Sequence, residues 1–146
     1  MIALTRSTAL AFVFFMAALE PAHAEMHEVL MLNRGESGVK VFEPALLRIS
    51  PGDTVKFVAA DNGHNSESID GMTPTGGITW QANINEEVEI TFEAEGVYGY
   101  KCRPHYGMGM VGLIVVGTDP TNVTAAQEIR QPGKAKSMFE QLFSLL

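Results

Sequence analysis

The chain has 146 residues, with 10 Lys and Arg against 17 Asp and Glu, a formal charge of -7, one Cys and one Trp. That length accommodates one ordinary domain, and at 46% hydrophobic and 18% charged it can bury a core, which excludes wholesale disorder. The acidic balance argues against nucleic acid as a partner, and a lone Cys excludes an internal disulfide, a CxxC redox pair and a zinc site of several thiolates.

In chain order the first feature is an export signal. Arg6 supplies a positive start, residues 9–19 are an unbroken apolar run, and Ala22-His23-Ala24 after Pro21 has the small-x-small form of a cleavage site. The layout predicts a secretory signal peptide over residues 1–24, leaving a single domain over 25–146. The run falls short of the roughly 20 apolar residues a membrane span needs, so no membrane insertion is expected after cleavage. Export makes the remaining thiol informative. In an oxidising compartment Cys102 is an inert core thiol, half of an intermolecular disulfide, or a metal-bound thiolate.

Short strand patterns dominate residues 27–116. Residues 28–32 and 46–49 are candidates, and 54–59 alternates after the turn signal Ser50-Pro51-Gly52-Asp53. Residues 87–93 alternate more strictly, with Val88, Ile90 and Phe92 on the expected inner face. Residues 97–102 and 111–116 read as strands flanking a Gly-rich loop. Turns at this spacing predict an antiparallel or mixed β-sandwich.

The period then changes. Asp119-Pro120 or Thr121 caps a first helix reaching about residue 130, and Gln131-Pro132-Gly133 breaks it. Ala135, Met138, Phe139, Leu142, Phe143 and Leu146 then recur at helical spacing, a second, amphipathic helix whose stripe is expected to pack on the sandwich.

The chemistry lies between the last two strands. Cys102-Arg103-Pro104-His105-Tyr106-Gly107-Met108-Gly109-Met110 places thiol, imidazole and thioether within nine residues. A tight turn between Cys102 and His105 can point sulfur and ring at one centre. A second imidazole is available from His64, in the loop after the 54–59 strand. Two imidazoles, a thiolate and a weak axial thioether make the trigonal site used for copper electron transfer, since sulfur suits Cu(I) and imidazole suits both oxidation states. Zinc fits Met poorly. A Cys–His nucleophilic dyad would need an orienting group and an oxyanion pocket, and nothing in the sequence nominates either. On the residues alone the axial Met is Met108 or Met110.

The sequence resembles the small blue-copper proteins, the cupredoxins, and among them most closely the pseudoazurins. The likeness covers residues 25–146 and rests on Val41-Phe42-Glu43-Pro44, Pro51-Gly52-Asp53-Thr54-Val55, Gly63-His64-Asn65, Cys102-x-x-His105-x4-Met110 and the two-helix tail. It implies an all-β Greek-key sandwich of about eight strands with two C-terminal α-helices over about 120–146. It also implies one copper ion per chain held by His64, Cys102, His105 and Met110, with Met108 left to the apolar surface around His105. The protein implied is no enzyme but a monomeric one-electron carrier of the periplasm, serving a copper nitrite reductase or another periplasmic reductase, with a c-type cytochrome as a further redox partner. The alternative use of the same ligands is periplasmic copper storage or delivery. Asn65 is expected to fix the His64 loop through its side chain, and Pro104 either to limit hydrogen bonding to the thiolate or simply to rigidify the turn. Pseudoazurins commonly ring their docking face with lysines; this chain offers mainly Arg34, Lys101 and Arg103, with Lys40.

Overall fold

The structure is a computed structural model and describes residues 23–146; all but the last two residues of the expected signal peptide lie outside the described residues. Eight strands run β1 (Met26–Gly35), β2 (Gly38–Glu43), β3 (Leu46–Ile49), β4 (Thr54–Val58), β5 (Glu67–Ser68), β6 (Val88–Thr91), β7 (Gly96–Lys101) and β8 (Val111–Val116). A 3-10 turn (Arg103–Met108) links β7 to β8, and two helices come after β8, α1 (Val123–Gln127) and α2 (Ala135–Phe143). Among the described residues no helix is long and apolar enough to cross a membrane.

The strands form two four-stranded sheets, ordered β2-β1-β4-β6 and β3-β8-β7-β5. Both are mixed: β1 runs parallel to β4, and β3 parallel to β8, while the other pairs are antiparallel. The chain changes sheet at every connection from β2 to β7, which gives the Greek-key sandwich the resemblance implied. Val29, Met31, Phe42, Phe57, Phe92, Tyr98, Tyr100 and Ile114 fill the space between the sheets, all fully buried. Their rings meet mainly edge to face, as Phe42 and Tyr100 do with centroids 4.8 Å apart.

β8 explains the helical tail. Its run Val-Gly-Leu-Ile-Val-Val is buried at every position. Ile114 and Val116 enter the inter-sheet core, whereas Val111, Leu113 and Val115 face a second cluster built with Ala126, Ala135, Phe139, Leu142 and Phe143. An uninterrupted apolar strand is what two covered faces require. The α2 stripe therefore packs on the sandwich as its spacing predicted, except that Leu146 lies past the helix end and is exposed. α1 is shorter than expected, ending at Gln127 rather than near residue 130. Of the expected inner face of residues 87–93 only Phe92, just past the end of β6, is fully buried; Val88 and Ile90, within β6, are part-buried against the core.

The turn before β4 ties the start of the domain to its body. Asp53, 4% exposed, accepts hydrogen bonds from the Ser50 N–H at 2.9 Å and the Glu25 N–H at 2.8 Å, and lies 3.0 Å from His27 Nε2. Burial works to raise its pKa, but these donors together outweigh burial and hold the carboxyl below the usual carboxylate range. A carboxyl depressed in the folded state stabilises above its unfolded value, about 3.9, and loses that contribution as pH falls through its lower folded value. Asp53→Asn is thus expected to cost about 2 kcal/mol at neutral pH. In urea melts the gap between the two proteins should narrow below about pH 4; a gap independent of pH would show that the charge is not what Asp53 contributes.

Candidate metal centre

Cys102 leaves the end of β7 with extended backbone and caps the 3-10 turn, where Pro104 sits in the first positions and needs no donor of its own. The turn is cross-tied by the His105 N–H to the Cys102 carbonyl, the Met110 N–H to the His105 carbonyl, and the Cys102 N–H to the Met110 carbonyl, at 3.0–3.2 Å. Gly109 closes it at φ +92, a conformation that favours glycine. His64 comes from the loop after β4, held where its carbonyl accepts the Asn85 N–H at 2.8 Å.

These two loops bring three donor atoms together. His64 Nδ1 lies 3.1 Å from His105 Nδ1 and 3.7 Å from Cys102 Sγ, and His105 Nδ1 lies 3.4 Å from the sulfur. Cys102 and His64 are fully buried and His105 is half-buried. Met110, fully buried, joins Cys102 in the inter-sheet core, and its backbone is bonded to both Cys102 and His105. Met108, by contrast, is 51% exposed.

Protonation is set by the neighbours. His64 Nε2 is 3.0 Å from Asn33 Oδ1, and the Lys40 ammonium donates to that oxygen at 2.6 Å. An amide oxygen only accepts, so Nε2 carries the proton and Nδ1 is left with a bare lone pair facing the sulfur. Burial lowers the pKa of both imidazoles, helped at His64 by the charges of His105 and Lys40 and at His105 by that of Lys40. Both rings are kept neutral, the form that binds metal. Burial pushes the Cys102 thiol up, opposed by the backbone N–H groups of Asn65 and His105 that reach its sulfur. Such a thiol is inert without a cation beside it.

The donor set fits copper. Two imidazole nitrogens and one sulfur in an enclosed trigonal cluster, with a buried thioether residue on the same loop, suit a soft or borderline transition metal and not magnesium or calcium. Asn65 does what was expected and more. Its Oδ1 accepts the Arg103 N–H at 2.7 Å, and its Nδ2 donates to Glu67 Oε2 and the Ala82 carbonyl, so it binds the His64 loop to the Cys102 loop. Pro104, in the first positions of the 3-10 turn, has no N–H to give the sulfur. Sequence reading missed Asn33. It lies 31 positions from His64, and only the strand pairing of β1 with β4 brings it near.

Around His105 the surface is less basic than the sequence suggested. Pro104, Gly107 and Met108 are exposed, but Gly109 is buried against Lys134. Lys101 and Arg103 both turn to the buried carboxylate of Glu67, at 3.4 and 3.8 Å, and so are partly neutralised. Arg34 remains exposed, and Lys134, whose N–H bonds the Gly107 carbonyl, adds an exposed cation beside the turn.

Comparison with known proteins agrees with this geometry. Residues 29–117 match the family described as copper binding proteins, plastocyanin/azurin family. The chain is 46% identical over 134 residues to pseudoazurin of Paracoccus pantotrophus, covering 92% of each chain. Among solved structures, pseudoazurin from Methylobacterium extorquens AM1 superposes with a TM-score of 0.79 at 43% identity, covering 82% of this chain and 98% of that one. Native pseudoazurin from Hyphomicrobium denitrificans gives 0.78 at 38% identity, covering 83% and 98%. With the sandwich, the helical tail and the buried thiol-imidazole cluster all in place, the chain belongs to the plastocyanin/azurin family of copper proteins, in its pseudoazurin branch.

Proposed function

We propose that His64, Cys102 and His105 are the close ligands of one copper ion per chain, with Met110 as the weak fourth, and that the protein is a monomeric electron carrier of the periplasm. Its family makes it a blue-copper electron-transfer protein and not an enzyme. The observation that carries the ligand assignment is the convergence of the only thiol in the chain with two neutral imidazoles from distant loops. Copper bound there supplies a one-electron couple, Cu(II)/Cu(I). The residues do the rest. Cys102 and His64 are sealed from solvent, the cross-tied turn holds its donors in one geometry, and half-buried His105 is the ring nearest the surface, beside exposed Pro104 and Met108. The optical and EPR spectra of the copper-loaded protein test this reading. An intense visible band with a reversible redox wave is expected; a colourless copper-bound protein would overturn it.

The proposed partners are a terminal reductase such as a copper nitrite reductase, as acceptor, and a donor such as a c-type cytochrome. A small apolar patch next to His105 suits encounters that must end quickly. The enclosed Cys102 and Met110 favour a carrier that keeps its metal over a delivery protein that surrenders it. With net charge -7, and with Lys101 and Arg103 committed to Glu67, steering toward acidic partners is weak. Electron-transfer rates to candidate reductases, measured by stopped flow, are expected to fall by less than about threefold between 50 and 300 mM salt. A steep decline would mean that Arg34 and Lys134 steer more strongly than this.

A further inference from the structure

Lys40 combines two features that the fold alone does not require. It has φ +54, the left-handed region, in the middle of β2, where a residue with a Cβ is strained by of order 1 kcal/mol or more. The pairs on either side, Leu32 with Val41 and Arg34 with Val39, are regular. Asn33, opposite Lys40, instead gives its N–H to Asp61 Oδ2 at 2.6 Å. The ladder is broken at this one position. There the Lys40 ammonium donates an exposed hydrogen bond to Asn33 Oδ1, the same oxygen that accepts from His64 Nε2.

We propose that Lys40 is a positioning residue of the metal centre: through Asn33 it fixes the His64 ring with Nδ1 bare, and its charge favours the reduced, less positive state of the site. The proposal rests on the copper reading. An ammonium one hydrogen bond from a ligand ring raises the energy of the higher-charged state more than that of the lower, so it raises the reduction potential. Asp61 faces the same group from the loop after β4 and acts on His64 in the opposite sense, so Lys40 also offsets a nearby anion.

Redox titration of copper-loaded wild type, Lys40→Gln and Lys40→Arg tests this. Lys40→Gln is expected to stay blue while its Cu(I)/Cu(II) ratio at fixed ambient potential falls about three- to tenfold, a drop of roughly 30–60 mV at 59 mV per decade for one electron. Lys40→Arg should keep most of the wild-type potential, and added salt should shrink the difference between Gln and wild type. In the metal-free protein, nitrogen-15 NMR of the His64 ring should report the Nε2–H tautomer in wild type and a mixture of tautomers in Lys40→Gln. Should Lys40→Gln fail to fold, Lys40→Gly removes the charge and the strained backbone together and serves in its place. A blue variant with unchanged potential and an unchanged tautomer would overturn the role of Lys40. A wild type that is not blue would overturn the copper reading instead.

Discussion

Cys102→Ser is expected to abolish the intense visible absorption of the copper-loaded protein and most of its copper retention, Met110→Gln to shift band and potential, and Met108→Gln to leave both nearly as they were. The ranking comes from position. Cys102 supplies the only thiolate available, and a serine hydroxyl in the same enclosed place is a hard, protonated donor that Cu(I) binds poorly. Met110 is fully buried, and its backbone is bonded to both Cys102 and His105, so a new side chain there stays beside the site. Glutamine replaces a soft thioether with a hard amide oxygen that favours Cu(II), which lowers the potential. It also buries an amide, at a cost of about 1–3 kcal/mol in the metal-free protein. Met108 is half exposed and can accept a polar end without loss. Absorption spectra, cyclic voltammetry and urea melts of the three variants separate the effects. Should Met108→Gln move the potential more than Met110→Gln, the axial assignment would be reversed.

The centre was legible in the sequence to different depths. Cys102 and His105 stand three positions apart and a single thiol has few explanations, so their part needed only local spacing, whereas spacing left Met108 and Met110 both open and only the resemblance chose Met110. Strands β3 and β8 were legible at their observed bounds because apolar runs between turn signals leave little choice. β2 was not. Its run Gly-Val-Lys-Val-Phe-Glu begins beside a turn, ends next to Pro44, and carries at Lys40 a backbone that interrupts the ladder. β5 is two residues long, recognisable only through its pairing with β7. The same irregularity that hid β2 is what directs Lys40 to Asn33. Long-range partners of this kind, Asn33 to His64 or Glu67 to Arg103, depend on sheet register, and no single stretch of sequence records them.

Asn65→Ala should be the most damaging change outside the ligands, lowering the melting temperature by about 10 °C and speeding copper loss. The side chain is fully buried and makes three hydrogen bonds, each to a different segment: the Arg103 N–H, the Ala82 carbonyl and the Glu67 carboxylate. Truncation takes this partner from the Arg103 N–H and the Ala82 carbonyl in a place water enters poorly, while the Glu67 carboxylate loses one donor and keeps Lys101 and Arg103. Unpaired buried groups cost about 1–3 kcal/mol each, and partial relaxation brings the expected total to about 3 kcal/mol. For a domain of this size that corresponds to the shift given, at about 3–4 °C per kcal/mol. The effect on the metal arises from the same bonds. Asn65 is next to His64 in the chain and grips the residue after Cys102, so it fixes the separation of two donors carried by different loops. Asn65→Asp separates the roles of the two ends of the amide. Aspartate keeps the acceptor for Arg103 but sets a carboxylate against Glu67 and the Ala82 carbonyl, so it should be no better than alanine at neutral pH and should recover as the pair takes up a proton. Differential scanning calorimetry of the metal-free proteins reads the stability, and transfer of copper to a chelator reads the retention. A stable Asn65→Ala that held its copper as long as wild type would mean that the turn around Cys102 is rigid on its own, and that the two ligand loops need no brace between them.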